Sequence, residues 1–458
     1  MAEYSGLKVT VVGLGRSGKA MVSWLRKRGA RVSVSDSRPE SAFADWLGSE
    51  GSGLERAEFG GNSASLLSSS DLIVVSPGVP PSSPALQEAS RHGVRVVGDL
   101  EVALEGCPAA VAAVSGTNGK STTTALLGHL LKSAGRECVV AGNIGIPVGS
   151  VVDGLTAKHV LVLEVSSFQL DTAPSFHPRV ALLLNVTPDH LDRYASFEEY
   201  AQSKARLFAR QGPADLAVLN HRDARSVTMA AGLKARVSWF DAHERADAPM
   251  PAGAGIRHGW IVLRGGSGEE RVMRAEELTI RGAHNLENAL AACVAAAELG
   301  VGPAALASGL RTFPGIPHRL EPAGRVGGVE FVNDSKGTNV DAMEKALRSF
   351  PHQVVLIAGG RDKGADFGGV AALVREKVKA AVLLGEAADR IEEAWKGAVP
   401  VIRVAGMGEA VRRGLELAGG SGTVLLSPAC ASFDQFRDFE HRGEVFKEEV
   451  RRLGGGKA

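Results

Sequence analysis

Val114-Ser115-Gly116-Thr117-Asn118-Gly119-Lys120-Ser121-Thr122 is the stretch of this sequence that decides the fold. An apolar run at 110–114 leads into it, and a helical pattern follows at 123–131. A strand, a glycine turn, a lysine, two hydroxyls and a helix let backbone N–H groups surround a polyphosphate, with the lysine on the outer phosphates and a hydroxyl on Mg²⁺. The first glycine of a full Walker A motif would fall on Val114, so an ordinary turn that carries a lysine is the alternative.

The bulk composition gives no reason to expect a nucleic-acid-binding or membrane protein. The chain has 458 residues, which suggests about three domains at roughly 150 residues each. Its 52 basic and 51 acidic residues leave a net charge of +1. Four scattered cysteines fit neither a disulfide framework nor a zinc site. We recognise no secretory signal and no apolar stretch suited to a membrane span, and we expect a cytoplasmic protein.

A second glycine turn lies near the N-terminus. Gly13-Leu14-Gly15-Arg16-Ser17-Gly18 follows a strand pattern, and Asp36 closes the next one. These are elements of the Rossmann fingerprint, in which glycines admit a diphosphate and an acid binds a ribose hydroxyl. An NAD site, a turn that serves packing alone, and a diphosphate site for another nucleotide are all open interpretations. We favour the last, because nothing downstream resembles a hydride-transfer site.

Alternating strand and helix patterns predict an α/β protein with parallel sheets and crossover helices. The strand patterns lie at 8–12, 32–35, 72–75, 94–97, 160–165, 180–186, 329–333, 354–358, 381–384 and 424–427. A glycine- and proline-rich stretch at 246–268 suggests a peripheral hairpin or loop, and two prolines and a glycine break the pattern at 313–317. We expect an N-terminal Rossmann-like domain at 1–100, a central P-loop ATPase-like α/β domain at 101–315 and a C-terminal Rossmann-like domain at 316–458.

Carboxylates and a histidine follow two strand patterns after the phosphate loop. Glu164 ends an apolar strand, where an acid meets a nucleotide-bound Mg²⁺. His190 lies between Asp189 and Asp192 after the next strand, and one imidazole among carboxylates suits a second metal. We predict metal binding for Glu164 and His190. For the two aspartates, a capped helix start is an equal alternative.

Lys204 lies on the apolar stripe of a predicted helix. Phe197, Tyr200 and Leu207 flank it at spacings of three and four residues. On this pattern alone the favoured explanation is snorkelling, in which the alkyl stem packs and the ammonium reaches water. A buried lysine beside a metal site can instead lose its proton and react.

Three loops of the last α/β unit follow strand patterns and mix cations, acids and hydroxyls. They span residues 333–339, 359–364 and 427–434, and His318-Arg319 precedes them. Because parallel strands end at one edge of their sheet, we expect the loops to converge there. Together they suit adenine-nucleotide phosphates and an anionic second substrate. Each loop taken alone could carry only solvated charges.

Taken together, these segments resemble the Mur ligases over nearly the whole chain, and most closely the branch that adds D-glutamate. The motifs recur in the family's order: 116–122, Gly142-Asn143-Ile144-Gly145, Glu164-x-Ser166-Ser167-Phe168-Gln169-Leu170, Asp189-His190-Leu191-Asp192-Arg193, His284-Asn285-x-x-Asn288, Pro317-His318-Arg319 and the three C-terminal loops. The run Ser-Pro-Ala-Cys-Ala-Ser-Phe-Asp-Gln-Phe from Ser427 discriminates best toward the D-glutamate branch. The Asp-Asn-Pro-Lys/Arg motif of the branch that adds a diamino acid is absent.

The resemblance implies ATP-dependent amide formation in peptidoglycan precursor synthesis. The carboxylate of UDP-N-acetylmuramoyl-L-alanine would attack the γ-phosphate to give an acyl phosphate, which the amine of D-glutamate then attacks. The cofactors implied are ATP, two Mg²⁺ ions and a carbamylated lysine. The partners implied are small-molecule substrates, with no nucleic acid and no membrane, and we expect a monomer.

The resemblance also implies a role for each matching residue. Those for ATP are Gly116, Thr117, Asn118, Gly119, Lys120, Ser121, Thr122, Asn288, Arg319 and Asp334. Those for the UDP substrate are Arg16, Ser17, Asp36, Ser37, Arg38, Gly78 and Asn143, and those for D-glutamate are Lys336, Thr338, Lys363, Ser432 and Phe439. The metal ligands implied are Ser121, Thr122, Glu164, His190 and carbamylated Lys204. The catalytic set is Lys120, Glu164, His190 and Lys204.

Three other classes of protein compete with this assignment. Folylpolyglutamate synthase shares the ATP loop but lacks the N-terminal unit with the turn at 13–18. An NAD dehydrogenase would use that unit but leave Lys120 and Ser121 unexplained. A binding protein without catalysis would be expected to lose charged residues such as Lys120, Glu164 or Lys363, and all three are present.

Overall fold

The computed structural model divides the chain into two compact units. It describes residues 4–143, 145–190, 193–244, 250–266, 268–280, 282–362 and 364–455. The first unit comprises Met1–Glu277 and Glu287–Arg311, and the second comprises Leu278–Leu286 and Thr312–Ala458. The first unit contains two β-sheets and the second contains one. The predicted α/β class, with three successive α/β sets, is confirmed.

The first sheet has five parallel strands in the order β3-β2-β1-β4-β5. Its strands are β1 (Lys8–Val12), β2 (Arg31–Asp36), β3 (Ala57–Phe59), β4 (Leu72–Val75) and β5 (Arg95–Gly98), and its helices are α1 (Arg16–Lys27), α2 (Ala44–Ser49), α3 (Ala64–Ser68), α4 (Pro84–Arg91) and α5 (Asp99–Leu104). The strand order reverses between β1 and β4. Open α/β sheets bind ligands in the crevice at such a switch point.

The turn between β1 and α1 requires glycine at two positions. Gly13 has a φ of +88°, in the left-handed region that favours glycine. A Cβ on Gly18 would overlap the carbonyl oxygen of Gly13, so only glycine lets α1 begin this close to the strand. Ser76, which follows β4, donates its hydroxyl to the same carbonyl at 2.6 Å. The start of α1 is thereby held against the ends of β1 and β4.

The second sheet has nine strands in the order β14-β13-β12-β11-β10-β9-β6-β8-β7. Its strands are β6 (Ala110–Ser115), β7 (Cys138–Gly142), β8 (Val160–Glu164), β9 (Val180–Leu183), β10 (Leu216–Asn220), β11 (Arg236–Glu244), β12 (Gly253–Arg257), β13 (Trp260–Gly265) and β14 (Gly268–Arg274), and its helices are α6 (Lys120–Ser133), α7 (Ser167–Asp171), α8 (Phe197–Ala205), α9 (Ala224–Ala230), α10 (Ala283–Glu298) and α11 (Pro303–Thr312). The strands β6 to β12 pair in parallel, whereas β12, β13 and β14 form an antiparallel meander at the edge. The predicted peripheral hairpin is therefore present.

The strand predicted over 180–186 is shorter in the structure, where β9 ends at Leu183. Beyond it the backbone leaves the ladder for the phosphate loop. The carbonyl of Asn185 accepts a hydrogen bond from the Thr117 amide at 2.9 Å, and the carbonyl of Thr187 accepts one from the Thr117 hydroxyl at 3.1 Å. The segment that follows β9 therefore supports the phosphate loop instead of extending the strand.

The third sheet has six strands in the order β15-β16-β20-β17-β18-β19. Its strands are β15 (Glu321–Val326), β16 (Val329–Asn333), β17 (Val354–Gly359), β18 (Val378–Leu384), β19 (Val401–Arg403) and β20 (Gly422–Leu426), and its helices are α12 (Val340–Arg348), α13 (Ala371–Lys377), α14 (Ala388–Ala394), α15 (Met407–Ala418) and α16 (Phe439–Leu453). Because β16, β20 and β17 are parallel neighbours, the loops that follow them leave one edge of the sheet. The predicted convergence of these three loops is confirmed.

One apolar core joins the first two sheets. It includes Leu25 of α1, Leu163 of β8, and Tyr200 of α8, all almost fully buried. Each such side chain contributes about 1.5–3 kcal/mol of transfer free energy when it is fully buried. Within the part of the chain that the structure describes, no helix is both long and apolar enough to cross a bilayer.

Candidate active site

A cavity of about 590 Å³ opens at the switch point of the first sheet. Among its lining residues are six of the seven predicted for the UDP substrate: Arg16, Ser17, Asp36, Ser37, Arg38 and Gly78. The seventh, Asn143, does not line it. A glycine turn, hydroxyls and two arginines around one crevice have the donor groups that a nucleoside diphosphate requires.

Asp36 organises the wall of this cavity. Its carboxylate accepts hydrogen bonds from the Leu14 amide at 2.7 Å, the Arg38 amide at 2.9 Å and the Arg38 Nε at 3.0 Å. Burial by itself raises the pKa of Asp36, but the hydrogen bonds from Arg38 and Leu14 outweigh it and lower the pKa to about 2. The Arg38 guanidinium also lies 4.6 Å from the centre of the Phe43 ring. The carboxylate is therefore ionised, and it fixes the arginine at the rim.

The phosphate loop has the backbone conformation that its sequence predicts. Gly116 and Gly119 have φ values of +148° and +86°, and α6 begins at Lys120 without a capping side chain. Backbone N–H groups at a helix start are donors that can bind anions. The Lys120 ammonium donates to the Gly116 carbonyl at 2.9 Å and to the Thr117 carbonyl at 2.8 Å. Ser121 and Thr122 are buried beside it.

Two asparagines support the loop from outside. The Asn118 amide donates to the side-chain oxygen of Asn185 at 2.9 Å. A Cβ on Gly119 would overlap the side-chain oxygen of Asn288, which is buried against this turn. The structure therefore places Asn288 directly at the phosphate loop, and its predicted contact with ATP is geometrically consistent.

Glu164 presents an unpaired oxygen beneath the loop. The residue ends β8 and is 2% exposed. Its Oε1 accepts a hydrogen bond from the Asn143 side chain at 2.8 Å, whereas Oε2 is buried with no hydrogen-bond partner among the described residues. A buried, unpaired carboxylate oxygen is costly, and a cation would offset that cost. Glu164 therefore fits the predicted Mg²⁺ ligand.

His190 follows β9 in a strained turn. Its φ is +53°, which is uncommon for a residue with a side chain. Its backbone amide donates a hydrogen bond to the Asp189 carboxylate at 2.9 Å, and its ring centre lies 4.8 Å from that of Phe168. The capped helix start that was the alternative for Asp189 is wrong, because α8, the helix that follows β9, begins at Phe197 and is capped by Ser196. Asp192 lies outside the described residues, as does Ile144.

A metal at this site would need ligands besides acids and histidine. Within the described ranges, no group of three or more His, Cys, Asp or Glu residues is arranged to hold a metal ion. The predicted set contains two such residues, Glu164 and His190. Its other members are the hydroxyls of Ser121 and Thr122 and a modified Lys204.

Lys204 is buried, as its place on the apolar stripe indicates, but its ammonium does not reach water. The residue is 1% exposed, and its Nζ donates to the Gly116 carbonyl at 2.9 Å. Burial, together with the nearby charge of Lys120, lowers the pKa of Lys204 to about 7. The snorkelling explanation is therefore wrong. The side chain instead ends beside the phosphate loop.

In the second unit, Asp334 joins the ends of two strands. It follows β16, and its carboxylate accepts a hydrogen bond from the hydroxyl of Ser427, which follows β20, at 2.8 Å. Burial raises the pKa of Asp334 to about 7. A second link between the same loops is the Ala429 amide, which donates to the Gly337 carbonyl at 2.9 Å.

The residues predicted for D-glutamate lie around these loops. The Lys336 ammonium is 5.5 Å from the centre of the Phe439 ring. Thr338 is half-buried after the same strand, and Ser432 is buried in the loop that follows β20. Lys363, the other cation predicted for this site, lies outside the described residues.

His318 and Arg319 lie near the same loops. His318 is buried and has a φ of +63°, and its carbonyl accepts a hydrogen bond from the Lys336 amide at 3.0 Å. Arg319 is half-buried. Burial and then the charge of Arg319 lower the pKa of His284 in the same unit.

Arg442 is a supporting residue that the sequence did not reveal. It is 1% exposed on α16, and burial lowers its pKa to about 10. Its guanidinium donates to the hydroxyl and carbonyl of Ser335 at 2.9 and 2.8 Å and to the Cys430 carbonyl at 3.1 Å. It therefore joins the two loops that carry the predicted D-glutamate residues. In sequence it resembles any arginine on the surface of a charged helix.

In a comparison with protein-family models, each of the three α/β sets matches one domain of the same family. Residues 7–98 match the model "Mur ligase MurD-like, N-terminal domain", residues 114–296 match "Mur ligase middle domain", and residues 318–430 match "Mur ligase, glutamate ligase domain". This chain belongs to the Mur ligase family.

Its curated relatives are similar along their whole length. The chain is 44% identical to the UDP-N-acetylmuramoylalanine--D-glutamate ligase of Pelotomaculum thermopropionicum, covering 100% of both chains, and 44% identical to the enzyme of that name from Solibacter usitatus, covering 98% of both. In fold it is similar to UDP-N-acetylmuramate-alanine ligase MurC from Thermotoga maritima, at 19% identity and a TM-score of 0.58 over 97% of this chain and 99% of that one.

We expect replacement of Asp36 by Asn to destabilise the N-terminal domain in a pH-dependent manner. The folded-state pKa is about 2, below the ordinary value of 3.8, so the ionised carboxylate stabilises the fold above about pH 4. That contribution is lost as the pH falls through the folded-state pKa. At pH 7 the thermal unfolding midpoint of the wild type should be higher than that of Asp36→Asn. The difference between the two midpoints should narrow between about pH 4 and 2. Asp45→Asn, which removes an exposed carboxylate nearby, is the control. A difference in unfolding midpoint that does not depend on pH would contradict this role of the Asp36 carboxylate.

Proposed function

We propose that this chain adds D-glutamate to UDP-N-acetylmuramoyl-L-alanine at the expense of ATP, forming an amide in peptidoglycan precursor synthesis. The curated relatives with this printed name are 39–44% identical over 97% or more of the chain. The observation that carries the proposal is the presence of two separate glycine turns, each of which leads directly into a helix. One lies at the 590 Å³ cavity of the first sheet, and the other is the phosphate loop of the second sheet.

The two turns have different substrates in this proposal. Arg16, Ser17, Ser37 and Arg38 bind the uridine diphosphate, and Asp36 orients Arg38. Asn143 lies close to the substrate diphosphate while it holds Glu164. The phosphates of ATP are bound by the backbone of 116–119, by Lys120 and by Asn288. Arg319 and Asp334 are further ATP-binding residues. An NAD role for the N-terminal turn would leave the phosphate loop without a function.

The first chemical step is phosphoryl transfer to the substrate carboxylate. A carboxylate oxygen of the alanyl group attacks the γ-phosphorus of ATP, the bond to the β-phosphate oxygen breaks, and ADP leaves. Lys120 and the N–H groups at the start of α6 stabilise the charge on the transferring phosphoryl group. Two Mg²⁺ ions, held by Ser121, Thr122, Glu164, His190 and carbamylated Lys204, would add positive charge there.

The second step forms the amide. The unprotonated amine of D-glutamate attacks the acyl carbon, the C–O bond to phosphate breaks, and a proton leaves the nitrogen. Lys336, Lys363 and the hydroxyls of Thr338 and Ser432 bind the two carboxylates of D-glutamate. Phe439 packs beside Lys336, and Arg442 holds the loops in place.

Carbamylation of Lys204 accounts for its surroundings. Its amine and that of Lys120 both donate to the Gly116 carbonyl, so two ammonium groups share one neutral acceptor. A carbamate replaces one positive charge by a negative one and gives oxygens that can ligate Mg²⁺. The neutral amine that attacks CO₂ is favoured by burial.

We further propose the domain boundaries 1–100, 101–315 and 316–458, which leave each sheet in one domain. We also propose that the enzyme acts as a monomer. It works in the cytoplasm, where ATP is available to the phosphate loop.

D-Glutamate should be the only efficient acceptor. Release of phosphate from ATP, in the presence of UDP-N-acetylmuramoyl-L-alanine, is measured with D-glutamate, L-glutamate and L-lysine. We expect turnover with D-glutamate and a rate lower by a factor of roughly 10² or more with the others, because a misplaced or missing carboxylate loses its hydrogen bonds and ion pairs in the site. Comparable turnover with L-lysine would refute the assignment.

Lys204→Ala should be folded but nearly inactive, because a metal ligand is lost with the side chain. A short carboxylic acid such as acetate should restore part of the activity by occupying the vacated space. Lys132→Ala, which removes an exposed lysine of the same unit, serves as the matched control and should retain full activity. An active Lys204→Ala enzyme, or one that no carboxylic acid rescues, would contradict carbamylation.

A further inference from the structure

The side chain of Arg193 reaches the rim of the nucleotide cavity. Its Nη1 donates to the Pro77 carbonyl at 3.1 Å, and its Nη2 donates to the Val79 carbonyl at 3.5 Å. Pro77, Gly78 and Val79 all line the cavity. Arg193 itself lies in the second sheet's set of elements, beyond β9. It therefore connects the turn after β4 with the loop that carries His190.

The other end of this connection is His190. The backbone amide of Arg193 donates to the His190 carbonyl at 2.9 Å. The Arg193 guanidinium lies 3.8 Å from the centre of the Phe168 ring, and that ring lies 4.8 Å from the His190 ring. Phe168 thus contacts both the cation at the cavity rim and the imidazole.

The geometry requires arginine in particular. A planar guanidinium can stack on an aromatic face and still direct two N–H groups to two separate carbonyls. A lysine ammonium lacks both the plane and the fixed fork. His190 also holds an uncommon backbone conformation, with a φ of +53°, so its position depends on the surrounding contacts.

We propose that Arg193 is a positioning residue that couples occupancy of the nucleotide cavity to binding of a divalent cation at His190. The inference rests on the proposed function of both sites. A nucleoside diphosphate in the cavity fixes the turn at 77–79, the turn fixes the guanidinium, and the guanidinium fixes Phe168 and the His190 turn. The cation then binds a histidine that is already ordered. By linkage, the cation strengthens nucleotide binding by the same factor.

The coupling is measured with a ligand that cannot itself bridge the two sites. UDP-N-acetylglucosamine carries the nucleotide diphosphate but lacks the carboxylate that the reaction phosphorylates. Binding of Mn²⁺ to the full-length protein is followed by the electron paramagnetic resonance of free Mn²⁺, with and without this ligand. A titration without protein corrects for chelation. His190→Ala identifies which Mn²⁺ equilibrium belongs to the proposed site.

In wild type, we expect UDP-N-acetylglucosamine to tighten Mn²⁺ binding on the order of fivefold. Arg193→Gln and Arg193→Lys should both reduce this factor to about one, while the affinity for UDP-N-acetylglucosamine without metal and the thermal unfolding midpoint stay close to wild type. Phe168→Leu should weaken the coupling by the same route. Arg271→Gln removes an arginine that lies 5.4 Å from the Trp260 ring in the edge hairpin, and it should keep the full coupling.

The possible failures are distinguishable. Coupling of wild-type size in both Arg193 variants would overturn the role of Arg193. Binding of UDP-N-acetylglucosamine to wild type with no effect on Mn²⁺ would overturn the coupling but leave the proposed function intact. Failure of wild type to bind UDP-N-acetylglucosamine at all would overturn the assignment of the cavity, and the inference with it.

Discussion

The carbonyl oxygen of Gly116 accepts hydrogen bonds from two lysine side chains, Lys120 and Lys204, and the active site depends on that crowding. Two ammonium groups in a buried space repel each other, and burial together with the charge of Lys120 lowers the pKa of Lys204 to about 7. Negative charge relieves the repulsion. A polyphosphate at the loop would supply it, and so would the carbamate that we propose on Lys204.

The rest of the fold positions charge around this point. The parallel strands β6, β8 and β9 end at one edge of their sheet, which places the phosphate loop, Glu164 and the His190 turn side by side. In the first sheet, the loops that follow β1, β2 and β4 line a cavity at the switch point in the same way. Arg193 connects the rim of this cavity with the loop of His190 through a hydrogen bond to Pro77 and a contact with the Phe168 ring.

Local patterns in the sequence predicted much of this site. Glycine spacing located both glycine turns, and helical periodicity placed Lys204 on a buried stripe, because turn chemistry and periodicity depend on neighbours in sequence. The contacts of Arg442 with Ser335 and of Arg193 with Pro77 join residues more than 100 positions apart, and no local pattern encodes them. The sequence pattern also led to the wrong prediction that the Lys204 ammonium reaches water. Helical periodicity reveals which face is buried, but not where the end of a long side chain lies.

The central claim is that the phosphate loop transfers a phosphoryl group to the substrate carboxylate. The direct test uses UDP-N-acetylmuramoyl-L-alanine labelled with ¹⁸O in both oxygens of the alanyl carboxylate, turned over with ATP and D-glutamate. If an acyl phosphate forms, each released phosphate carries one ¹⁸O and each amide retains the other, as mass spectrometry would detect. Phosphate free of ¹⁸O would mean that water, rather than the carboxylate, accepts the phosphoryl group, and it would contradict the account.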